Sequence, residues 1–220
     1  MTIYKAFLDI SNTRSYTLYC KETHLKCLDI GPKERSSNRT LVILTPELLK
    51  SAKLMEDIVA FRNAAVSVLS SYTKVSVDST RNYLSGWIHN PEKIFFLLFE
   101  VDDVKNISLI GHMGVEESED YCSLENFRRG RSGRYDSNKS AIFDSELFIL
   151  DSLRDFGYVE VRLKTMSYNR PLIEAHALAG FSIHAIEPVR SGSKRIFRNG
   201  LEISPDQYKM YSEVSMVKRL

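Results

Sequence analysis

Four arginines fall within seven residues at Arg128, Arg129, Arg131 and Arg134, with Gly130 and Gly133 between them. Guanidinium groups bind phosphate oxygens in pairs, and glycine lets backbone approach a ligand closely, so this segment has the means to grip an anion. It also precedes a strongly helical stretch, whose first N–H groups lack carbonyl partners and favour an anion at the same place. A solvated basic loop is the other reading of the same composition. Aromatic side chains near the cluster are limited to Phe127 and Tyr135, too few for a surface that binds nucleic acid by stacking bases. Cys20, His24 and Cys27 form C-x3-H-x2-C, but no fourth ligand and no paired C-x2-C accompany them, so no metal is expected. Walker-type loops, H-E-x-x-H and G-x-S-x-G are absent, which argues against common nucleotide hydrolases, zinc proteases and serine esterases.

The chain that carries these residues is 220 long, 43% apolar and 26% charged, with six prolines and ten glycines. That is the composition of a globular protein, not of a fibrous or low-complexity one. Thirty Lys and Arg against 28 Asp and Glu leave a net charge of +2, too balanced for a protein devoted to nucleic acid or a membrane surface. Any basic function must be local. Three cysteines, an odd number, follow a mixed polar opening, MTIYKAFLDISNTR; a reduced, cytoplasmic setting is expected. The longest apolar run, Ile94 to Phe99, has six residues, against the roughly 20 of a membrane-spanning helix, so no membrane span is expected.

Periodicity then places the elements. Residues 1–39 hold short alternating stretches and the polar run GPKERSSNRT, and read as an N-terminal extension packed on a core domain of 40–220. Leu41 to Leu44 predicts a strand, and Thr45-Pro46 the cap and first turn of a helix over 46–70 with Leu54, Ile58, Phe61, Ala65 and Val68 on one face. Asp78 or Ser79 is expected to cap a second helix that ends at Asn90-Pro91. Residues 94–101, 107–115 and 120–128 predict a three-strand meander. A long helix over 140–156, a strand over 159–165, a short helix over 170–179 with Leu172, Ala175, Leu178 and Ala179 inward, and strands over 181–189 and 207–217 complete the order. The fold class expected is α+β with a mixed sheet, neither doubly wound nor all-β.

This order, together with GHMGVEESEDYCSLENFRRG (111–130) and NRPLIEAHALAGF (169–181), resembles the GNAT acyl-CoA N-acyltransferase superfamily. Within it, LENFRRG is similar to the D-N-V-x-R-G stretch of members that acetylate amino sugars in surface-polysaccharide synthesis. The resemblance spans about residues 41–217. It implies a three-layer fold with helices on both faces of a mostly antiparallel sheet. That sheet is splayed between the fourth and fifth strands, 120–128 and 159–165, and the pantetheine arm of acetyl-CoA lies in the splay. Phe127, Arg128 and Arg129 would line it, and the pyrophosphate role falls by position on some of Arg129, Gly130, Gly133, Asn138, Lys139 and Ser140. The superfamily usually reads Q/R-x-x-G-x-G/A there, whereas Gly133 is followed by Arg134.

In the second motif, N-x-x-A-x-x-x-Y-x-x-x-G-F, Asn169, Gly180 and Phe181 match and His176 stands where the tyrosine is expected. The resemblance makes Asn169 a cofactor contact. His176 would be the group that protonates the departing thiolate, with a packed core histidine as the other reading. Amine attack also needs a base, for which Glu125 and then Glu116 are the candidates, surface ion pairs being the other possibility. His112 is expected in the core. The function implied is transfer of an acetyl group from acetyl-CoA to a primary amine by direct attack. The acceptor implied is a small-molecule amine, an amino sugar carried on a nucleotide, whose diphosphate would pair with some of Arg128, Arg131, Arg195 and Arg198. A protein or peptide N-acyltransferase and a catalytically silent relative that only binds CoA or a partner are the alternatives. The extension 1–39 stands open as a lid, a contact in a homodimer or a wall of the sugar pocket.

Overall fold

The computed structural model describes residues 2–10, 12–15, 24–29, 38–64, 75–101, 107–129, 135–189, 197–198, 201–202 and 211–220. In chain order these form α1 (Ile3–Ile10), β1 (Asn12–Ser15), β2 (His24–Asp29), β3 (Asn38–Ile43), α2 (Ala52–Ala64) and α3 (Val77–Ile88). There follow β4 (Lys93–Val101), β5 (Ile107–Glu117), β6 (Cys122–Arg129), α4 (Tyr135–Asp155), β7 (Glu160–Met166), α5 (Arg170–Leu178) and β8 (Ser182–Pro188). The two-residue strands β9 (Phe197–Arg198) and β10 (Leu201–Glu202) pair with each other, and β11 (Ser212–Arg219) ends the chain.

One sheet of nine strands runs β1-β2-β3-β4-β5-β6-β7-β11-β8. Every neighbouring pair is antiparallel except β6 and β7. The mixed sheet with helices on both faces is the fold class expected from sequence, and the fourth and fifth strands of that expectation are β6 and β7. The segment before residue 40 adds β1 and β2 to the edge of the sheet and lays α1 on one face, where Phe7 meets Phe96 and Phe156 edge-on at 5.1 Å each.

Alternation along the strands splits the core in two. On one face Leu41, Ile43, Phe96, Leu98, Leu124, Leu163 and Met216 are covered by Ile3 and Phe7 of α1 and by Ile149, Leu150 and Leu153 of α4. On the other, Val42, Leu97, Phe95 and Phe99 are covered by Leu54, Met55 and Ile58 of α2 and by Leu84 and Trp87 of α3. Each of these fully buried side chains contributes about 1.5–3 kcal/mol of transfer free energy. Arg39, only 1% exposed, spends its charge on Glu100 (3.4 Å) and Asp144 (2.7 Å), tying β3 and β4 to α4.

Several boundaries differ from expectation for local reasons. Thr45-Pro46 opens a tight 3-10 turn at Leu48–Lys50, and α2 starts only after Ser51, which turns extended and accepts the Leu54 N–H at 3.3 Å. The expected tail of this helix, 65–70, lies outside the described residues. Ser76, not Asp78 or Ser79, caps α3, in a reciprocal box with Ser79. On α5 the inward face is Ile173, His176 and Ala179, while Leu178 is 78% exposed; docking on the sheet, not the count of apolar residues, chose the face. Among the described residues no helix is long and apolar enough to cross a membrane.

Candidate active site

The short turn Ser118 to Tyr121, closed by the Ser118 N–H to the Tyr121 carbonyl at 2.9 Å, sets the β5–β6 register. Glu117 faces Cys122, Glu116 faces Ser123 and Gly114 faces Glu125. Beyond that pair the register slips: His112 faces Arg128, so three steps on β6 match two on β5. One extra residue at Asn126–Phe127 therefore bulges β6, which bends the strand and frees backbone polar groups there.

On its other side β6 runs parallel to β7 for three pairs only, Cys122–Val161, Ser123–Arg162 and Leu124–Leu163. Both strands continue, β6 to Arg129 and β7 to Met166, but the ladder between them has ended. From Glu125 onward the facing edges carry N–H and C=O groups that the two strands do not give each other. Phe127, Arg128 and Arg129 lie on this stretch of β6.

Gly130, Arg131, Gly133 and Arg134 lie outside the described residues, as do Arg195 and Cys20. α4 then begins at Tyr135, five residues ahead of the 140 expected. Among the described residues its free N–H groups are those of Tyr135, Asp136 and Ser137, while those of Asn138, Lys139 and Ser140 fall within the helical ladder. None of the three residues expected to offer backbone N–H groups from this helix, Asn138, Lys139 and Ser140, sits where such a group is free. The α4 amides begin at Tyr135, six residues after β6 ends at Arg129.

Glu125 and Glu116 project on the face that carries Trp87. Residues opposite one another in an antiparallel pair share a face, so Gly114, Glu116, Ser123 and Glu125 line one strip. Glu116 is held by Lys93 at 2.9 Å, and Lys93 Nζ lies 5.1 Å above the Trp87 ring. Gly114 makes room for that ring: a Cβ there would come within 2.5 Å of Trp87 Cη2. Glu125 reaches solvent at the end of this strip, yet its carboxyl is pushed above the ordinary range, by burial first and by the Glu116 charge second, with Lys93 pulling the other way. A carboxylate so raised is a better proton acceptor. His112 packs at 5.1 Å on Phe95, in the core as expected.

Asn169 stands at the N-cap of α5, just past the end of β7. Its side chain does not cap the helix and instead donates to Thr165 Oγ1 at 3.4 Å. His176 is 2% exposed, its Nδ1 is 2.6 Å from Glu146 Oε1, and its ring meets Phe181 at 5.7 Å. The sequence reading missed Glu146, although it falls in phase with Phe143, Leu150 and Leu153 on the inward stripe of α4, where a carboxylate has no solvent to meet.

No protein-family model and no curated protein matches the chain. Solved structures do. The Vibrio cholerae spermidine N-acetyltransferase, determined with CoA and spermine, aligns over 82% of this chain and 95% of its own, at 16% identity and a TM-score of 0.57. The microcin C7 self-immunity acetyltransferase MccE, with acetyl-CoA and AMP, aligns over 82% and 92% at 10% identity and 0.58. FdhC, a nucleotide-linked sugar GNAT, aligns over 82% and 86% at 12% identity and 0.54. The fold is that of the GNAT N-acetyltransferases.

Proposed function

We propose that the protein is an acyl-CoA-dependent N-acetyltransferase in which a primary amine attacks the thioester of acetyl-CoA directly. The observation that carries this reading is the parallel pair β6–β7, which stops pairing after Leu124 and Leu163 while both strands run on. Strand edges opened in this way offer a flexible, amide-bearing arm the hydrogen bonds that a neighbouring strand would otherwise take. The free amides at the start of α4 then lie where the charged end of such a molecule would sit.

In this reading the pantetheine arm enters the gap, with Asn169 at one side and the bulged strand at Phe127 at the other. Backbone N–H groups freed by the bulge polarise the thioester carbonyl. Glu125 takes a proton from the incoming ammonium, because only the free amine attacks, and the Lys93–Glu116 pair beside it fixes the charge around that carboxylate. His176 returns a proton to the sulfur as the C–S bond breaks. The acceptor proposed is a nucleotide-linked amino sugar, a reading supported by the LENFRRG stretch and by the likeness to a nucleotide-linked sugar enzyme of the same fold.

Melting temperature is the first test, scanned against acetyl-CoA, free CoA and nucleotide sugars, followed by free-thiol release from acetyl-CoA with amino sugars, their nucleotide-linked forms and peptides. A ligand at a hundredfold excess over its Kd adds about 2.7 kcal/mol, roughly 5–10 °C for a chain of this size. Stabilisation by acetyl-CoA and fastest release with a nucleotide-linked amino sugar support the proposal. Release only with peptides replaces the acceptor, binding without release removes the catalysis, and no stabilisation by acetyl-CoA or CoA removes the reading altogether.

A further inference from the structure

α4 leaves the end of β6 and α5 leaves the end of β7, so the two helices depart from the two sides of the gap. A buried polar contact joins them, from His176 Nδ1 to Glu146 Oε1 at 2.6 Å. Glu146 is fully buried, and its second oxygen, Oε2, has no hydrogen-bond partner. Both side chains are buried, and the His176 ring meets Phe181 edge-on at 5.7 Å. Such an arrangement is a poor device for stability. A buried carboxylate with one oxygen unsatisfied costs more than it returns, and apolar side chains of similar volume would hold the two helices at least as well.

Resting on the acetyltransferase reading, we infer that Glu146 is a positioning residue for proton delivery: it fixes the His176 ring and its tautomer so that His176, the proton donor to the leaving thiolate, works through Nε2. A carboxylate facing Nδ1 keeps a proton on that nitrogen and stabilises the ring when it carries both protons. Nε2 is then the ring atom through which a proton passes to another group. When the tetrahedral adduct collapses, the C–S bond breaks and its electron pair goes to sulfur. The thiolate takes the Nε2 proton, and the ring keeps its Nδ1 proton on Glu146. The nitrogen, made cationic when its lone pair forms the N–C bond, sheds one of its own protons, which returns to Nε2 through water, and the proton that Glu125 took from the ammonium passes to solvent, so charge and atoms balance over the turnover.

The test combines a spectroscopic signature with a kinetic cycle. In the wild-type protein, long-range 1H–15N correlation of the histidine rings should show His176 protonated at Nδ1 at every pH where the fold persists; a bare Nδ1 overturns the inference without any variant. Glu146→Gln and His176→Phe are then assayed singly and together by thiol release, with the acceptor that the wild-type enzyme turns over fastest. His176→Phe should lower kcat by about a hundredfold or more. Glu146→Gln should lower it roughly tenfold, with the KM for acetyl-CoA held within about twofold, and should change kcat by less than about twofold in the His176→Phe background. Equal losses in both backgrounds mark Glu146 as structural and sink the inference, as does wild-type kcat in Glu146→Gln. If Glu146→Gln does not fold, Glu146→Asp takes its place in the cycle. These failures leave the acetyltransferase reading intact; absence of acetyl-CoA binding or of thiol release in the wild-type protein removes both.

Discussion

A single methyl group at Gly114 tests the packing that shapes the carboxylate strip. The Trp87 ring is buried against Phe95 at 5.5 Å and under Lys93 at 5.1 Å, and its six-membered ring lies directly on the Gly114 backbone. In Gly114→Ala the new Cβ would stand 2.5 Å from Cη2 and 2.6 Å from Cζ3. The indole would have to withdraw by about 1 Å to reach the ~3.5 Å at which carbon atoms rest. Overpacking of a rigid aromatic costs about 1–3 kcal/mol, which for a chain of this length lowers Tm by roughly 2–12 °C. Scanning calorimetry of Gly114→Ala, Trp87→Phe and the double variant measures it. Phenylalanine lacks the outer ring atoms that collide, so the double variant should be at least about 1 kcal/mol more stable than the sum of the two losses predicts. Additivity within roughly 0.5 kcal/mol, or an unchanged Tm in Gly114→Ala, would refute the packing account.

Glu125→Gln should lower turnover most at neutral pH and least at high pH, where the amine sheds its proton unaided; a loss independent of pH would make Glu125 a shaping residue. Its carboxyl is raised in the folded state, so the stabilisation it gives is complete below the unfolded pKa and is lost as pH rises through the folded one. Glu125→Gln should therefore melt at or above the wild-type temperature at pH 7–8 and lose that advantage on acidification. Asn169→Ala should weaken acetyl-CoA binding by about 1–2 kcal/mol in calorimetry, the scale of one hydrogen bond, and unchanged affinity would remove it from the site. Burial, and next the Glu117 charge, push the Cys122 thiol up to about 12; it should resist iodoacetamide at pH 8 until the protein unfolds, as read by peptide mass mapping. Glu117 accepts from the Tyr158 hydroxyl and from the Ile3 N–H at 3.0 Å, so Glu117→Ala should cost about 1–3 kcal/mol and expose α1 to protease. Resistance equal to wild type would mean that the buried Ile3 and Phe7 hold the helix without it.

What could be read from the residues divides along physical lines. Strands β4 and β5 are legible because Ile94 to Phe99 and Ile107 to Val115 are rich in β-branched and aromatic residues and too short for helices, and α4 because Leu147, Leu150 and Leu153 repeat at helical spacing. The α2 start was misplaced because Ser51 breaks the chain by turning extended, a choice between two competing caps that composition does not rank. Of the expected α5 face, Leu172, Ala175, Leu178 and Ala179, only Ala179 is buried, because Leu172, Ala175 and Leu178 are no more apolar than Ile173; only the position of the sheet decides, and it buries His176. The β5–β6 register, on which the proximity of Glu116 and Glu125 depends, rests on a turn whose length is visible but whose closing hydrogen bond is not. The bulge at Asn126–Phe127 follows from the same register. Glu146 was overlooked because a glutamate in a helix is ordinarily solvated, although its phase on the Phe143 and Leu150 stripe pointed inward.

The two ends of the proposed proton traffic lie on opposite faces of the sheet. Glu125 shares its face with Gly114 and Trp87, whereas its neighbour Leu124 points the other way, into the core that α4 and α5 cover. Glu146 and His176 join those two helices on the Leu124 side. Set together in one open pocket, a carboxylate and an imidazole would pair with each other, and the proton that one must accept and the other donate would simply be shared between them. In the proposed reaction, with a strand between them and the chain parted beside that strand, an amine would arrive over Glu125 while the sulfur leaves toward His176, and the acyl carbon would occupy the gap where the β6–β7 ladder has ended. The two groups would then serve separate steps of one turnover, the attack that forms the tetrahedral adduct and the departure of the thiol that ends it, with both reactants held in place as a direct transfer without a covalent enzyme intermediate requires.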